Sequence, residues 1–146
     1  MPITKGHKAL VAEAMAEVTT YSVSQVMARV QAGDSTLQIV DIRDVRELQA
    51  EGTVPGSYHA PRCMLEFWVD PESPYFKKIF ADEAREFVLF CGAGWRSALA
   101  AKTLQDMGMT NVAHIEGGFT DWVKAGGPTE TMDERKARQA GKAKAA

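Results

Sequence analysis

Phe87-Val88-Leu89-Phe90 is a continuous run of aromatic, aliphatic and β-branched residues, the pattern of a buried strand. It limits the fold more than any other segment, because such a strand needs cover from neighbouring elements. The run passes without a break into Cys91-Gly92-Ala93-Gly94-Trp95-Arg96-Ser97, and residues 98–107 that follow are helix-forming. A thiol is therefore expected where a strand ends and a helix begins.

The rest of the chain also alternates strand and helix. Residues 11–18 suit an amphipathic N-terminal helix. Ser22 suits the N-cap of a second helix with Val23, Val26, Met27 and Val30 on one face and Gly33 after its end. A buried strand is predicted over residues 37–40, a short helix over 45–51 ended by Gly52, and a short strand over 57–59. Residues 75–87 are expected to hold one helix, entered after Pro71 and Pro74. The helix after Cys91 is expected to turn Leu99, Thr103, Leu104 and Met107 inward and to stop at Gly108. A strand over 112–115 and a helix over 119–125, closed by Gly126-Gly127-Pro128, complete the pattern. This alternation predicts an α/β fold with a parallel sheet covered by helices on both faces. Ligands in such sheets sit at the carboxyl ends of strands, where Cys91 falls.

The chemistry follows from that position. The first N–H groups of a helix are unpaired, and the helix dipole is positive there, so an anion is favoured. A thiolate is an anion and should form more readily at such a point. Gly92 and Gly94 let the loop curl with N–H groups inward, and Arg96 adds a cation. The alternative is a small, inert, buried cysteine. Strand, glycine loop, Arg-Ser and helix together favour a nucleophile.

Four residues separate Cys91 from Arg96. Tyrosine-type phosphatases have a similar cradle with one residue more, and usually a His before the Cys, where Phe90 stands here. A tighter ring of N–H groups fits a sulfur atom better than a phosphoryl group. The sequence resembles the rhodanese family of sulfurtransferases, whose active loop has the shorter spacing. The resemblance covers residues 21–128. Residues 37–43 resemble the family's early strand ending in Asp41-x-Arg43, with Glu47 in the helix after it. Gly52-Thr53-Val54-Pro55-Gly56 through Pro61 resembles a Gly-His-Ile-Pro-Gly signature, and Gly117-Gly118 with Trp122 resembles a C-terminal Gly-Gly-Trp signature. These signatures occur in the family's order.

The resemblance implies a three-layer fold with a central, mostly parallel, five-stranded sheet. It divides the chain into an N-terminal helical extension (1–20), the rhodanese-like domain (21–128) and a charged tail (129–146), expected as a frayed helix or disordered. It implies that Cys91 takes a sulfane sulfur from a donor such as thiosulfate as a persulfide. A thiol, a protein acceptor, or cyanide in vitro then removes it. The loop residues Gly92, Ala93, Gly94, Trp95, Arg96 and Ser97 would bind the donor and the persulfide, with no cofactor and no metal. Trp95 is bulky where many relatives carry a small or β-branched residue. Gly92 and Ala93 are neutral where thiosulfate-specific loops often carry a base, so thiosulfate is expected as a surrogate donor.

Further residues have two readings each. Arg96 either holds the donor's anionic end or braces the loop. Asp41 and Arg43 either touch substrate or brace neighbouring loops. Arg62 and Cys63 follow Pro61 on the expected active-site face, and Cys63 is either a redox partner of Cys91 or a small residue in a tight turn. His7, His59 and His114 share no metal-ligand spacing. Two rival functions remain: a phosphatase or arsenate-reducing thiol enzyme, and a module that only relays sulfur between proteins.

Composition sets the remaining bounds. A length of 146 residues and a formal charge of −2 fit one domain with no general attraction to nucleic acid or anionic membrane. No apolar run has the roughly 20 residues of a membrane helix. No secretory signal is evident and two cysteines make no disulfide framework, so a reducing cytoplasm is the expected location.

Overall fold

The computed structural model describes residues 1–145; Ala146, the end of the expected tail, lies outside the described residues. Five strands form one sheet: β1 (Thr19–Tyr21), β2 (Leu37–Asp41), β3 (Tyr58–His59), β4 (Glu86–Phe90) and β5 (Val112–Ile115). Their order is β1-β5-β4-β2-β3, and every pairing is parallel. The apolar run predicted from sequence is the central strand β4, hydrogen-bonded to β2 on one side and β5 on the other.

Successive strand residues point to opposite faces, and β4 accordingly feeds two cores. Phe87 and Leu89 pack with Val40, Leu65, Phe80, Ala101 and Leu104. Val88 and Phe90 pack with Val23, Val26, Ile39, Phe119 and Trp122. Among the described residues seven helices surround the sheet: α1 (His7–Glu17), α2 (Val23–Gln31), α3 (Val45–Glu51), α4 (Leu65–Val69), α5 (Trp95–Asp106), α6 (Gly118–Lys124) and α7 (Met132–Ala145). Helices α4 and α5 lie on the first face, α2 and α6 on the second.

Local signals set several boundaries. Ser22 and Gln25 form a capping box that starts α2, and Asp44 and Glu47 form another that starts α3. Gly52, at φ +80°, ends α3. Its backbone passes so close to Glu130 that a Cβ would sit 2.6 Å from that carbonyl oxygen.

Four expectations need correction. Residues 75–87 form no α-helix; they hold a short 3-10 turn, Lys78–Ala81, while the preceding Leu65–Val69 is helical. Asp70, Ser73 and Asp82 each accept a backbone N–H two residues ahead, and such local bonds favour turns over a continuing helix. Helix α5 turns Ser97, Ala98, Ala100, Ala101 and Leu104 inward, leaving Leu99 and Thr103 half-buried and Met107 exposed. Its sheet-facing side is built mainly of small residues, so large side chains flank the contact. On α2, Val30 lies in the last turn and is exposed rather than on the buried face. The first helix starts at His7, not at residue 11, and Ala14 is its one buried residue.

The C-terminal segment is helical over Met132–Ala145. It is fastened to the sheet domain by a two-way backbone bridge between Thr53 and Glu130 at 2.9 and 2.8 Å and by Arg135, which donates to the Ser57 carbonyl at 2.6 Å.

Candidate active site

The chain leaves β4 at Phe90 and enters α5 at Trp95, so Cys91 begins the connecting loop. Its side chain is 1% exposed. The Gly94 N–H donates to the Cys91 sulfur at 3.2 Å, and the Ser97 hydroxyl lies 3.6 Å from it. Helix α5 has no side-chain cap, which leaves its first N–H groups to the loop and its contents.

Two glycines make this loop possible. Gly94 has φ +104°, and a Cβ there would stand 3.1 Å from the Gly117 nitrogen. Gly118, the first residue of α6, has φ +57°, and a Cβ there would meet the Cys91 carbonyl at 2.4 Å and the Gly92 carbonyl at 2.8 Å. The close approach lets the Phe119 N–H bond the Cys91 carbonyl at 2.8 Å and the Thr120 N–H bond the Gly92 carbonyl at 3.0 Å. Both loop carbonyls are thus engaged by α6, and the Gly94 N–H is left to face the sulfur.

Gly92 and Ala93 form the loop's rim, with Ala93 exposed. Trp95 is exposed and its ring lies 5.3 Å from that of His7, at the start of α1. The Arg96 guanidinium makes a two-pronged pair with Glu47 of α3, at 2.8 and 2.9 Å. Its hydrogen bond to Glu47 raises the Arg96 pKa, with the Cys91 sulfur adding to the rise, and the same bond holds Glu47 below the ordinary carboxylate range. Arg96 is therefore tied to α3 beside the loop.

Ser97 is buried and connects Cys91 to a residue that sequence spacing left without a role. Its hydroxyl lies 2.9 Å from His114 Nδ1, and His114 Nε2 lies 3.0 Å from the Thr20 hydroxyl. His114 sits in β5 with no exposed surface. Burial lowers its pKa to about 4, so the ring is neutral near pH 7.

Asp41 and Arg43 are both fully buried. Arg43 bonds both Asp41 carboxylate oxygens, at 3.1 and 2.9 Å, and the Gly52 carbonyl at 2.7 Å. Arg62 and Cys63 lie apart from this pair, on the 3-10 turn Arg62–Met64. Together with Asp44, Glu66 and Arg96 they line an open pocket of about 370 Å³. Arg62 is paired with Glu66, and Cys63 is a free, exposed thiol. Among the described residues no group of three or more His, Cys, Asp or Glu side chains is placed to hold a metal ion.

The rhodanese-like domain family matches residues 22–125. The chain belongs to the rhodanese-like family. It is 27% identical over 115 residues to the thiosulfate:glutathione sulfurtransferase of Homo sapiens, covering 75% of this chain and 97% of that one. It is 30% identical over 104 residues to a thiosulfate sulfurtransferase of Shewanella oneidensis, covering 71% of this chain and 91% of that one. Among solved structures, a Rhodopseudomonas palustris protein of unknown function, described as a possible tyrosine phosphatase, superimposes with a TM-score of 0.86. It is 52% identical, and the match covers 89% of this chain and 98% of that one.

Within this rhodanese-like domain, sequence reasoning passed over His114 and the task of Gly118. One signal for His114 was available: a polar residue in the all-buried strand Val112–Ile115 must find a partner inside the protein. Its buried ring also predicts a pH effect. The unfolded chain takes up a proton near pH 6.5 and the folded chain only near pH 4, so stability rises with pH across this window and is lost as pH falls through it. Each pH unit there costs about 1.4 kcal/mol. Urea unfolding between pH 6.5 and 4.5 should show this slope, and His114→Asn should flatten it. A wild-type slope near zero would mean that the ring is protonated in the fold. Below that window, loss of the Glu47 and Glu130 carboxylates, whose pKa values are lowered by Arg96 and by Arg138, adds to the decline.

Proposed function

We propose that this rhodanese-like protein is a sulfurtransferase that carries sulfane sulfur on Cys91. The carrying observation is the buried Cys91 sulfur, which accepts the Gly94 N–H at 3.2 Å beside the uncapped start of α5. In the first step the Cys91 thiolate attacks the outer sulfur of the donor. The donor's sulfur–sulfur bond breaks, its electron pair leaves with the departing group (sulfite, from thiosulfate), and Cys91 becomes a persulfide. In the second step a thiol or cyanide attacks the outer sulfur and the Cys91 thiolate departs. The fixed N–H donors stabilise the anionic sulfur in both steps. The two half-reactions predict ping-pong kinetics. No cofactor takes part, and the setting is the cytoplasm. Among the described residues no helix is long and apolar enough to cross a membrane.

Arg62 and Cys63 line the pocket beside Arg96, where a donor or an acceptor thiol would approach. A phosphatase reading has less support. The loop is one residue short for a phosphoryl group, and the Arg96 fork is occupied by Glu47. The direct test compares thiosulfate with an aryl phosphate as substrate. It is paired with mass spectrometry of the isolated protein, in which an added sulfur atom on the Cys91 peptide is expected. Turnover of aryl phosphate alone, with no sulfur on Cys91, would overturn the reading.

Arg96→Ala should slow persulfide formation by about ten- to a thousandfold. The substitution removes the cation next to the reacting sulfur and also unties α5 from Glu47. Stopped-flow measurement with thiosulfate, alongside thermal unfolding, separates the two effects. An unchanged rate would leave Arg96 as a brace only.

A further inference from the structure

Ser97 and His114 carry the argument beyond the loop. The Ser97 hydroxyl is buried and has three neighbours: the Cys91 sulfur at 3.6 Å, the Gly94 carbonyl at 3.3 Å and His114 Nδ1 at 2.9 Å. It has only one hydrogen to give. Where that hydrogen points depends on the histidine tautomer. If Nδ1 accepts, the hydroxyl hydrogen is drawn to the ring and away from the sulfur. If Nδ1 carries the proton, the ring donates to the Ser97 oxygen and the hydroxyl is free to donate to the sulfur. The second tautomer leaves Nε2 as an acceptor, and the Thr20 hydroxyl stands 3.0 Å away to donate to it; the Met15 sulfur, 3.2 Å from Nε2, has no proton to give. Thr20 is half-buried, at the end of the chain of contacts furthest from Cys91. A cavity of about 230 Å³, lined by Met15, Trp95, His114 and Glu116 among others, lies on this side of the loop. It is distinct from the pocket that Arg62, Cys63 and Arg96 line.

We propose that His114 is a positioning residue for Cys91, acting through Ser97 in a hydrogen-bonded relay Cys91–Ser97–His114–Thr20. The proposal rests on the reading of Cys91 as the nucleophile. In the resting thiol, the Cys91 S–H donates to the Ser97 oxygen, Ser97 donates to Nδ1, and Nε2–H donates to Thr20. On activation the S–H bond breaks and its proton goes to the Ser97 oxygen. The former Ser97 proton goes to Nδ1, the Nε2 proton goes to the Thr20 oxygen, and the former Thr20 proton leaves to solvent water. One proton departs, the electron pair stays on sulfur, and the ring exchanges one neutral tautomer for the other without becoming charged. Every hydrogen bond in the chain reverses, so the thiolate that forms already has the Ser97 hydroxyl donating to it.

The experiment is a double-mutant cycle read by alkylation of Cys91 with iodoacetamide at pH 7, followed peptide by peptide so that Cys63 is scored separately. His114→Leu and Ser97→Ala are each expected to slow alkylation of Cys91 about tenfold, the size of one lost hydrogen bond to an ionised group. The double variant is expected to be no slower than Ser97→Ala, because His114 acts only through that hydroxyl. His114→Gln, whose amide can donate to Ser97, should keep more of the rate than His114→Leu. Thr20→Val preserves shape and removes the outer hydroxyl, and it should slow alkylation several-fold. It carries the test if His114→Leu does not fold. Additive effects in the cycle, or full wild-type rate in Thr20→Val, would overturn the relay. Sulfur transfer measured in parallel keeps the two readings separate. Transfer with an additive cycle sinks the relay alone, and a coupled cycle without transfer from any donor sinks the sulfurtransferase reading alone.

Discussion

Cys91→Ser is expected to abolish sulfur transfer from thiosulfate to cyanide, by a factor of at least about a thousand, while leaving the fold intact. A serine hydroxyl is not ionised near neutral pH and forms no persulfide, so the covalent route of nucleophilic catalysis is closed. The fold should tolerate the change. Serine is the nearest match in size, and its oxygen can take over the Gly94 N–H, 3.2 Å from the sulfur, and the Ser97 contact at 3.6 Å. Circular dichroism and thermal unfolding should match wild type, and the sulfur adduct should vanish from the residue 91 peptide. A folded serine variant that retains most of the rate would remove Cys91 from the mechanism and, with it, the sulfurtransferase reading.

The parts of this site that were legible in the sequence are the ones set by neighbouring residues. Phe87 to Phe90 read as a buried strand, and β4 ends at Phe90. Residues 45–51 read as a helix ended by Gly52, and α3 has those bounds because the Asp44 cap and the Gly52 turn are local. The parts that were not legible depend on distant partners. Glu47 and Arg96 are 49 positions apart, and no pattern in either segment announces that they meet. His114 looked unremarkable because its partners, Ser97 and Thr20, come from other elements. The helix expected over residues 75–87 failed for the opposite reason: Asp70, Ser73 and Asp82 capture nearby N–H groups, and these short bonds outweigh helix propensity there. The inward face of α5 was misjudged because large apolar residues were assigned to the core, whereas a helix close to a sheet favours alanine at the contact.

Arg43→Met is expected to destabilise the protein by about 3–5 kcal/mol, the cost of breaking a buried ion pair by removing one partner. For a chain of this size that corresponds to a melting temperature lower by roughly ten degrees. The Arg43 side chain is 1% exposed and that of Asp41 0%. Asp41 accepts two hydrogen bonds from the Arg43 guanidinium, which the substitution removes, and keeps one from the residue 43 backbone N–H at 3.0 Å and one from the Thr53 hydroxyl at 2.7 Å. Without the guanidinium, a carboxylate remains buried with its main counter-charge gone, and the Gly52 carbonyl loses its donor. The damage should reach the active loop. The guanidinium lies 4.2 Å from the Phe119 ring centre and 5.6 Å from that of Phe90. Phe90 is the residue before Cys91, and the Phe119 N–H holds the Cys91 carbonyl. Urea unfolding measures the stability loss, and Asp41→Asn combined with Arg43→Met should recover part of it by removing the stranded charge. Persulfide formation in the surviving folded fraction should also slow, since both aromatic supports of the loop lose a neighbour. A loss of less than about 1 kcal/mol in the single variant, the size expected of an exposed pair, would mean that water reaches Asp41 and that the brace beneath the loop is not the closed network described above.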